Sequence, residues 1–119
     1  MAVQSKAQHF KFNSLGLKEE LPSSHIYKIL EDSKGYVWFL TDKAVSRYDG
    51  KKFTTFDEES GYDETGAYQI LEDKNGLIWI LTTSFKVFVF NNGYFTKVQP
   101  ELNFGWMQLN TEGNITISG

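Results

Sequence analysis

The sequence has no cysteine, one arginine and two histidines among its 119 residues. Without cysteine there is no disulfide, no thiolate nucleophile and no cysteine-ligated metal site. Two histidines cannot form a three-histidine metal centre, so neither a metal site nor a cofactor is predicted. The formal net charge of −3 lacks the basic excess of a nucleic-acid-binding surface. No apolar run reaches the ~20 residues of a membrane helix, so no membrane segment is predicted in this chain.

Aromatic residues, by contrast, are abundant. They make up 16% of the chain, which favours β structure because bulky flat side chains fit half-buried pleated surfaces. One ten-residue pattern also occurs three times, each time as an apolar strand, a glycine-containing turn and a second strand. The copies span residues 29–38, 70–79 and 107–116. Their regular spacing, 41 and then 37 residues, predicts a repeat protein.

Each full repeat predicts four short strands. In the first repeat they lie at 25–30, 36–41, 44–48 and 51–56, and in the second at 67–72, 77–82, 86–90 and 94–98. The third repeat gives strands at 106–109 and 115–118. Asp49-Gly50 and Asn92-Gly93 predict two-residue hairpin turns, because both positions of each pair tolerate positive φ.

Four-stranded units of about 40 residues are typical of β-propeller blades. The sequence therefore predicts an all-β fold, an incomplete propeller of about two and a half blades. We expect a flexible arm at 1–8, blades at 25–56 and 67–98, and half a blade at 105–119. A blade needs a neighbour on each side. Either the missing blades belong to a longer parent protein or copies of this chain associate, with a strand around Phe10 completing a blade of the second copy.

The repeated residues give the pattern a more specific character. They are an acidic pair, a glycine, a tryptophan and a terminal Tyr-Asp-Gly. In the first copy these residues are Glu31-Asp32, Gly35, Trp38 and Tyr48-Asp49-Gly50. The second copy has the first three elements, at Glu72-Asp73, Gly76 and Trp79. The third copy keeps Gly113 but has Thr116 where the tryptophan stands. This pattern resembles the two-component regulator propeller repeat. The chain departs from it at the acidic loop 62–65, and at Ala44 and Lys86, where the family often has glycine.

The resemblance implies a function in signalling. In that family the propeller is typically the extracytoplasmic input domain of a bacterial sensor histidine kinase or hybrid regulator. It implies a periplasmic, non-enzymatic sensor module that perceives a small molecule or glycan, with the output domains elsewhere. The alternative is a structural element that completes its ring by self-association. A propeller hydrolase is disfavoured because a sialidase-like site needs an arginine cluster and the chain has only Arg47.

Three features have both a functional and a structural interpretation. The Asp32 and Asp73 turns resemble calcium loops, but they lack the acidic spacing, and an aspartate that caps its own turn is favoured. Trp38 and Trp79 recur at matched positions, which favours packing between blades over a sugar platform. The five carboxylates within 57–64 could bind a cation or provide acid and base, but a solvated loop is favoured.

The remaining candidate ligand residues are aromatic or imidazole side chains outside the repeated motif. His25 precedes a strand after a Ser-Ser loop, where a ligand could approach a blade edge, although an exposed loop histidine is the favoured interpretation. Phe104 and Trp106 flank a glycine before an inner strand, and Tyr62 and Tyr68 lie near the start of the second blade. If the chain has an aromatic platform, we expect it among these four rings.

Overall fold

The structure, a computed structural model, describes residues 21–23, 25–99 and 106–118. These residues form ten β-strands and a short 3₁₀ turn at Glu58–Ser60, with no α-helix among them. The strands are β1 (Ile26–Glu31), β2 (Val37–Thr41), β3 (Val45–Tyr48), β4 (Phe53–Thr55), β5 (Ala67–Glu72), β6 (Ile78–Thr82), β7 (Val87–Asn91), β8 (Tyr94–Gln99), β9 (Trp106–Leu109) and β10 (Ile115–Ser118). Within these ranges no helix is long and apolar enough to span a bilayer. The predicted arm at 1–8 and the strand around Phe10 lie outside the described residues.

The strands form three antiparallel sheets that follow the order of the chain. Blade 1 is the sheet β1-β2-β3-β4, blade 2 is β5-β6-β7-β8, and the half blade is the two-stranded sheet β9-β10. Every strand predicted within the described residues is present, with ends that differ from the prediction by at most two residues. The all-β fold of incomplete propeller blades is therefore confirmed.

Strand β2 shows why each blade needs two neighbours. All five of its residues are buried, and successive side chains of a strand point to opposite faces. Trp38 and Leu40 enter the apolar cluster shared with blade 2. Val37 and Phe39 enter a second cluster on the other face, with Leu21. The strand is therefore buried on both faces, as expected for a sheet that packs between two neighbours.

Aromatic rings fill the interface between blade 1 and blade 2. The Trp38 ring stacks on Phe56 at 5.6 Å between centroids and meets Phe90 edge-on at 5.0 Å. Phe95 and Phe88 extend the same cluster into blade 2. These edge-to-face and offset contacts are favourable arrangements for aromatic pairs.

The next interface repeats this packing one blade further along. Leu81, Val87 and Met107 are buried together, and Trp79 packs against them. Trp38 and Trp79 thus lie at successive blade interfaces, as predicted from their matched positions. Packing between blades, not ligand contact, explains both residues.

The two predicted hairpin turns have different outcomes. Asn92 and Gly93 have φ values of 52° and 85° and form the expected two-residue turn between β7 and β8. The prediction for Asp49-Gly50 is wrong, because the loop contains four residues and only Gly50 has positive φ, at 101°. Asp49 accepts hydrogen bonds from the Lys51 and Lys52 amides at 2.8 and 2.6 Å, which stabilise the wider loop.

The first strands of the three sheets lie side by side, with β1 against β5 and β5 against β9. We call β1, β5 and β9 the inner strands. Two of them carry an irregularity at the same place, since the register shifts between Ile26 and Lys28 in β1 and between Ala67 and Gln69 in β5. Tyr27 and Tyr68 are the extra residues of these bulges. Bulges redirect nearby side chains and are frequent next to functional sites.

Candidate functional site

The repeated aspartate, glycine and tryptophan form one hydrogen-bonded unit. Asp32 Oδ1 accepts from the Lys34 and Tyr36 amides at 2.9 and 3.0 Å, and Asp32 Oδ2 accepts from Trp38 Nε1 at 2.8 Å. Gly35 supplies the positive φ, 89°, that lets the turn close. The predicted turn-capping role of Asp32 is confirmed. The bond to the indole was not predicted, and it fixes the tryptophan that fills the blade interface.

The second and third repeats use the same turn. Asp73 accepts from the Asn75 and Leu77 amides and from Trp79 Nε1, the last at 2.9 Å. Its turn contains Gly76, at φ 80°. In the third repeat Asn110 Oδ1 accepts hydrogen bonds from the Glu112 and Asn114 amides. Gly113 supplies the positive φ, 83°. Each oxygen of Asp32 and Asp73 is thus engaged within its own repeat, which favours a structural role over calcium binding.

A side-chain bridge joins the first two of these turns. Glu72, at the end of β5, accepts from the Ser33 amide at 2.9 Å and from the Ser33 hydroxyl at 2.5 Å. A hydrogen bond to a charged group is stronger than one between neutral groups. This bridge therefore fixes blade 1 against blade 2 at the turn end of the inner strands.

Arg47 packs against aromatic rings. Its guanidinium carbon lies 4.1 Å from the centroid of the Tyr36 ring, and 5.2–5.5 Å from those of Trp38, Phe56 and Phe90. The adjoining crevice has a volume of about 30 Å³, the space of about one water molecule. Arg47 therefore acts through cation–π packing between the blades.

The acidic loop is organised around one buried ring. The Tyr62 side chain is 1% exposed, and its hydroxyl donates to the Thr65 carbonyl at 2.8 Å. Burial raises the Tyr62 pKa, and the nearby carboxylates of Glu64 and Asp63 add to this effect. Among the described residues no three histidine, aspartate or glutamate side chains form a group that could hold a metal ion.

Glu64 leads to a prediction on the pH dependence of stability. Burial alone would raise the Glu64 pKa, but hydrogen bonds from Lys86 and Ser84 outweigh it and hold the pKa below 4.5. A carboxyl group whose pKa is lowered by folding stabilises the protein at pH values above its unfolded-state pKa. This contribution disappears as the pH falls through the folded-state pKa. We therefore expect Glu64→Gln to lose stability at pH 6 and to be less acid-sensitive than wild type between pH 5 and pH 3.

Urea unfolding at a series of pH values measures this effect. Glu59→Gln is the matched control, because Glu59 is an exposed carboxylate of the same loop. We expect it to follow the wild-type curve. Identical pH profiles for Glu64→Gln and wild type would show that the Glu64–Lys86 pair contributes nothing to stability.

The predicted ligand residues are separated by the fold. The His25 side chain is 77% exposed, lies 3.9 Å from Asp42, and does not line the cleft that contains Tyr68 and Trp106. Tyr62 lies in the core and presents no free ring face. Phe104 lies outside the described residues. Tyr68 and Trp106 are brought together, because both line one cleft between the inner strands.

This cleft is the candidate functional site. It has a volume of about 190 Å³ and is lined by Lys28 of β1, Tyr68, Gln69, Ile70 and Leu71 of β5, and Trp106 of β9. Trp106 is 55% exposed, so its ring face is open to a ligand. Burial raises the pKa of Tyr68, which therefore stays a neutral phenol at physiological pH. The Tyr68 ring is held edge-on against Phe85, with 6.1 Å between the centroids.

The chemistry of the cleft suits recognition. An aromatic face, a phenol, an amide and an ammonium group surround a space smaller than the ~300 Å³ of the smallest drug-sized pockets. Sequence reasoning identified the two rings but missed Lys28 and Gln69. The signal was present, because Lys28, Gln69 and Trp106 are separated by the same 41 and 37 residues as the repeats.

The comparisons with known proteins agree with this fold. The family model described as two component regulator propeller matches residues 20–43 and 61–84, and each match contains the first two strands of a full blade. No curated protein matches the chain. Among solved structures, the fold is similar to that of the extracellular domain of a hybrid two component system from B. thetaiotaomicron, with a TM-score of 0.67 and 24% identity. The likeness covers 82% of this chain but 15% of that one. Two segments of the chain are therefore similar to the two component regulator propeller repeat, and the solved structure shows the same fold.

Proposed function

We propose that this chain is part of the extracytoplasmic input region of a two-component signalling regulator, where it takes part in ligand perception and catalyses no reaction. One observation carries the proposal. The repeats that match two component regulator propellers form blades with the fold of an extracellular domain from a hybrid two component system. A periplasmic location is part of the same proposal.

The inner-strand cleft supports a role in ligand perception. Its residues come from both full blades and the half blade, so a ligand there contacts three structural units at once. Trp106 offers a flat apolar face, while Lys28 offers an ammonium group, a combination that suits a small molecule or a glycan unit. A ligand that bridges the units would stabilise their relative positions, which is one way to transmit a signal.

The repeated polar residues support a non-enzymatic role. Asp32 and Asp73 each accept three hydrogen bonds from their own repeat. Asp63 and Glu64 of the acidic loop pair with Lys97 and Lys86. These carboxylates serve the architecture of the blades.

A thermal-shift screen against small metabolites and glycans tests this function. Binding to the native state adds stability by mass action, about 2.7 kcal/mol at a hundredfold excess over Kd. We expect at least one compound to raise Tm reproducibly. Trp106→Ala should abolish that shift while leaving Tm without ligand nearly unchanged, because the Trp106 ring is half exposed.

Tyr94→Ala is the matched control for this variant. Tyr94 is 54% exposed, nearly as much as Trp106, but it belongs to the outer hairpin of blade 2. Its removal should leave the ligand-induced shift intact. A shift that survives Trp106→Ala would place the ligand elsewhere, and a screen without any shift would contradict ligand perception by this chain.

Self-association is a second candidate function, favoured by a different observation. In the described part of the chain β10 pairs only with β9, and an unpaired strand edge is a template for another chain. Leu109 on β9 is also exposed. If copies complete the blade, or another part of a parent protein does, unfolding stability should rise with the concentration of that partner. Sedimentation at increasing concentrations of this chain separates the cases, since a constant monomer mass contradicts self-association.

A further inference from the structure

One hydrogen-bonded link joins blade 2 to the half blade. The Gln69 Nε2 group donates to the Met107 carbonyl, and the Met107 amide donates to Gln69 Oε1 at 2.9 Å. A carboxamide has both a donor and an acceptor, so one side chain satisfies both backbone groups of a single residue. We call this pair of hydrogen bonds the Gln69 clasp.

The register of the β9–β10 hairpin explains why the backbone N–H and C=O of Met107 can bond to Gln69. The Asn110 amide donates to the Asn114 carbonyl, and β9 pairs with β10 so that Met107 lies opposite Ile117. Hydrogen-bonded and non-hydrogen-bonded pairs alternate along an antiparallel ladder. Counting back from Asn110, the pair Met107 and Ile117 is non-hydrogen-bonded. The Met107 N–H and C=O therefore point away from β10, toward β5.

The same count applies to Ile70 at the preceding junction. The Asp73 amide donates to the Leu77 carbonyl, and Ile70 lies opposite Ile80. Ile70 is thus also in a non-hydrogen-bonded pair, and its N–H and C=O point away from β6, toward β1.

The residue that should clasp Ile70 is not a glutamine. Lys28 occupies in β1 the position of Gln69 in β5. Lysine has three donors and no acceptor, so it cannot accept a hydrogen bond from the Ile70 amide. Within the part of the chain that the structure describes, no side chain clasps Ile70 as Gln69 clasps Met107. Ile70 is nevertheless 1% exposed, and a buried amide normally has a partner.

We infer that the junction between β1 and β5 recognises a small carboxylate attached to a flat ring. The inference rests on the proposed function, since it assigns a ligand class to the same cleft. One carboxylate oxygen accepts from Lys28 Nζ and the other from the Ile70 amide, as Gln69 Oε1 accepts from Met107. Lys28, Ile70 and Trp106 all line this cleft, so the attached ring packs against the Trp106 face. Charge-assisted hydrogen bonds of this kind are the stronger class.

Titration of the ¹⁵N-labelled chain, followed by amide chemical shifts, tests the inference with a matched pair of probes. Benzoate and benzyl alcohol share a ring and differ in having a carboxylate or a hydroxymethyl group. We expect benzoate to shift the Ile70 amide and the Trp106 indole signals to saturation. Its affinity should be at least tenfold higher than that of benzyl alcohol.

Two substitutions of Lys28 separate charge from geometry. Lys28→Met keeps the apolar stem and removes the ammonium, so the affinity for benzoate should fall at least tenfold. Lys28→Gln supplies the acceptor and donor of a second clasp, so benzoate binding should be lost and hydrogen exchange of the Ile70 amide should slow. Lys51→Met is the control, because Lys51 is an exposed lysine of the loop between β3 and β4. It should leave the affinity for benzoate unchanged.

The outcomes distinguish this inference from the function on which it rests. Equal affinities for the two probes, or an unchanged affinity in Lys28→Met, overturn the carboxylate assignment. A failure of benzoate to bind overturns the assignment as well. In that case the partner of the Ile70 amide is water. In each case, Trp106-dependent binding of an uncharged compound in the thermal-shift screen still supports ligand perception.

Discussion

Replacing Trp38 with alanine is expected to remove about 3–5 kcal/mol of folding free energy, the range for truncating a large buried aromatic side chain. Trp38 is 0% exposed and lies at the centre of the interface between blades 1 and 2. A domain of this size has about 5–15 kcal/mol in total. The variant should therefore retain only a marginally stable fold.

Three losses combine in this variant. The ring contacts to Phe56 and Phe90 disappear and leave a cavity between the sheets. The carboxylate of Asp32, which is 8% exposed, loses the hydrogen bond from Trp38 Nε1. Arg47 also loses one of the rings around its guanidinium group. A cavity and an unsatisfied buried acceptor are two of the few mechanisms that make single substitutions severely destabilising.

The chain supplies its own controls for this experiment. Trp79 makes the same bond to Asp73 but is only partly buried, so Trp79→Ala should cost less than Trp38→Ala. Trp106 is half exposed, and Trp106→Ala should change stability little. Urea unfolding followed by circular dichroism gives all three values. Equal losses at the three tryptophans would contradict the assignment of Trp38 to the packing centre.

The repeats explain why so much of the fold could be predicted from the sequence. Apolar runs and glycine turns fixed the strands, and the recurrence of Trp38 and Trp79 at one spacing identified them as packing residues. The Asp49-Gly50 turn was mispredicted because local preference alone was considered. In the structure the Asp49 carboxylate binds two backbone amides and stabilises a longer loop, and such side-chain bonds compete with the tightest turn.

The candidate site was predictable only in part, because residue type does not decide burial. Tyr62 and Tyr68 were equivalent as aromatic residues near the start of blade 2. The Tyr62 hydroxyl donates a hydrogen bond to the Thr65 carbonyl, so the ring can be fully buried. Tyr68 instead lies on an inner strand beside the cleft. Lys28 and Gln69 become candidates only once β1 and β5 are known to be neighbours.

Replacing Gly66 with alanine is expected to have the second-largest effect, a loss of about 1–3 kcal/mol, as for overpacking a tight contact. A Cβ at this position would lie against the backbone carbonyl group of Asp42 and 2.7 Å from the Thr41 carbonyl oxygen. These are backbone atoms of blade 1, which cannot rotate away as a side-chain end can. The Gly66 φ is not in the left-handed region, so the loss would report the close approach of the two blades and not backbone strain.

The consequences of Gly66→Ala should be concentrated at one junction. Gly66 immediately precedes the inner strand β5, and its carbonyl accepts from the Thr83 amide at 3.0 Å. Pushing this segment away from Thr41 would separate β1 from β5, so hydrogen exchange should accelerate in those strands more than in β10. Thr65→Ala, at the exposed neighbouring position, is the control and should match wild type in stability and exchange. Uniform acceleration across both blades and the half blade would instead show that the three sheets unfold as one unit, with no separate opening of the β1–β5 junction.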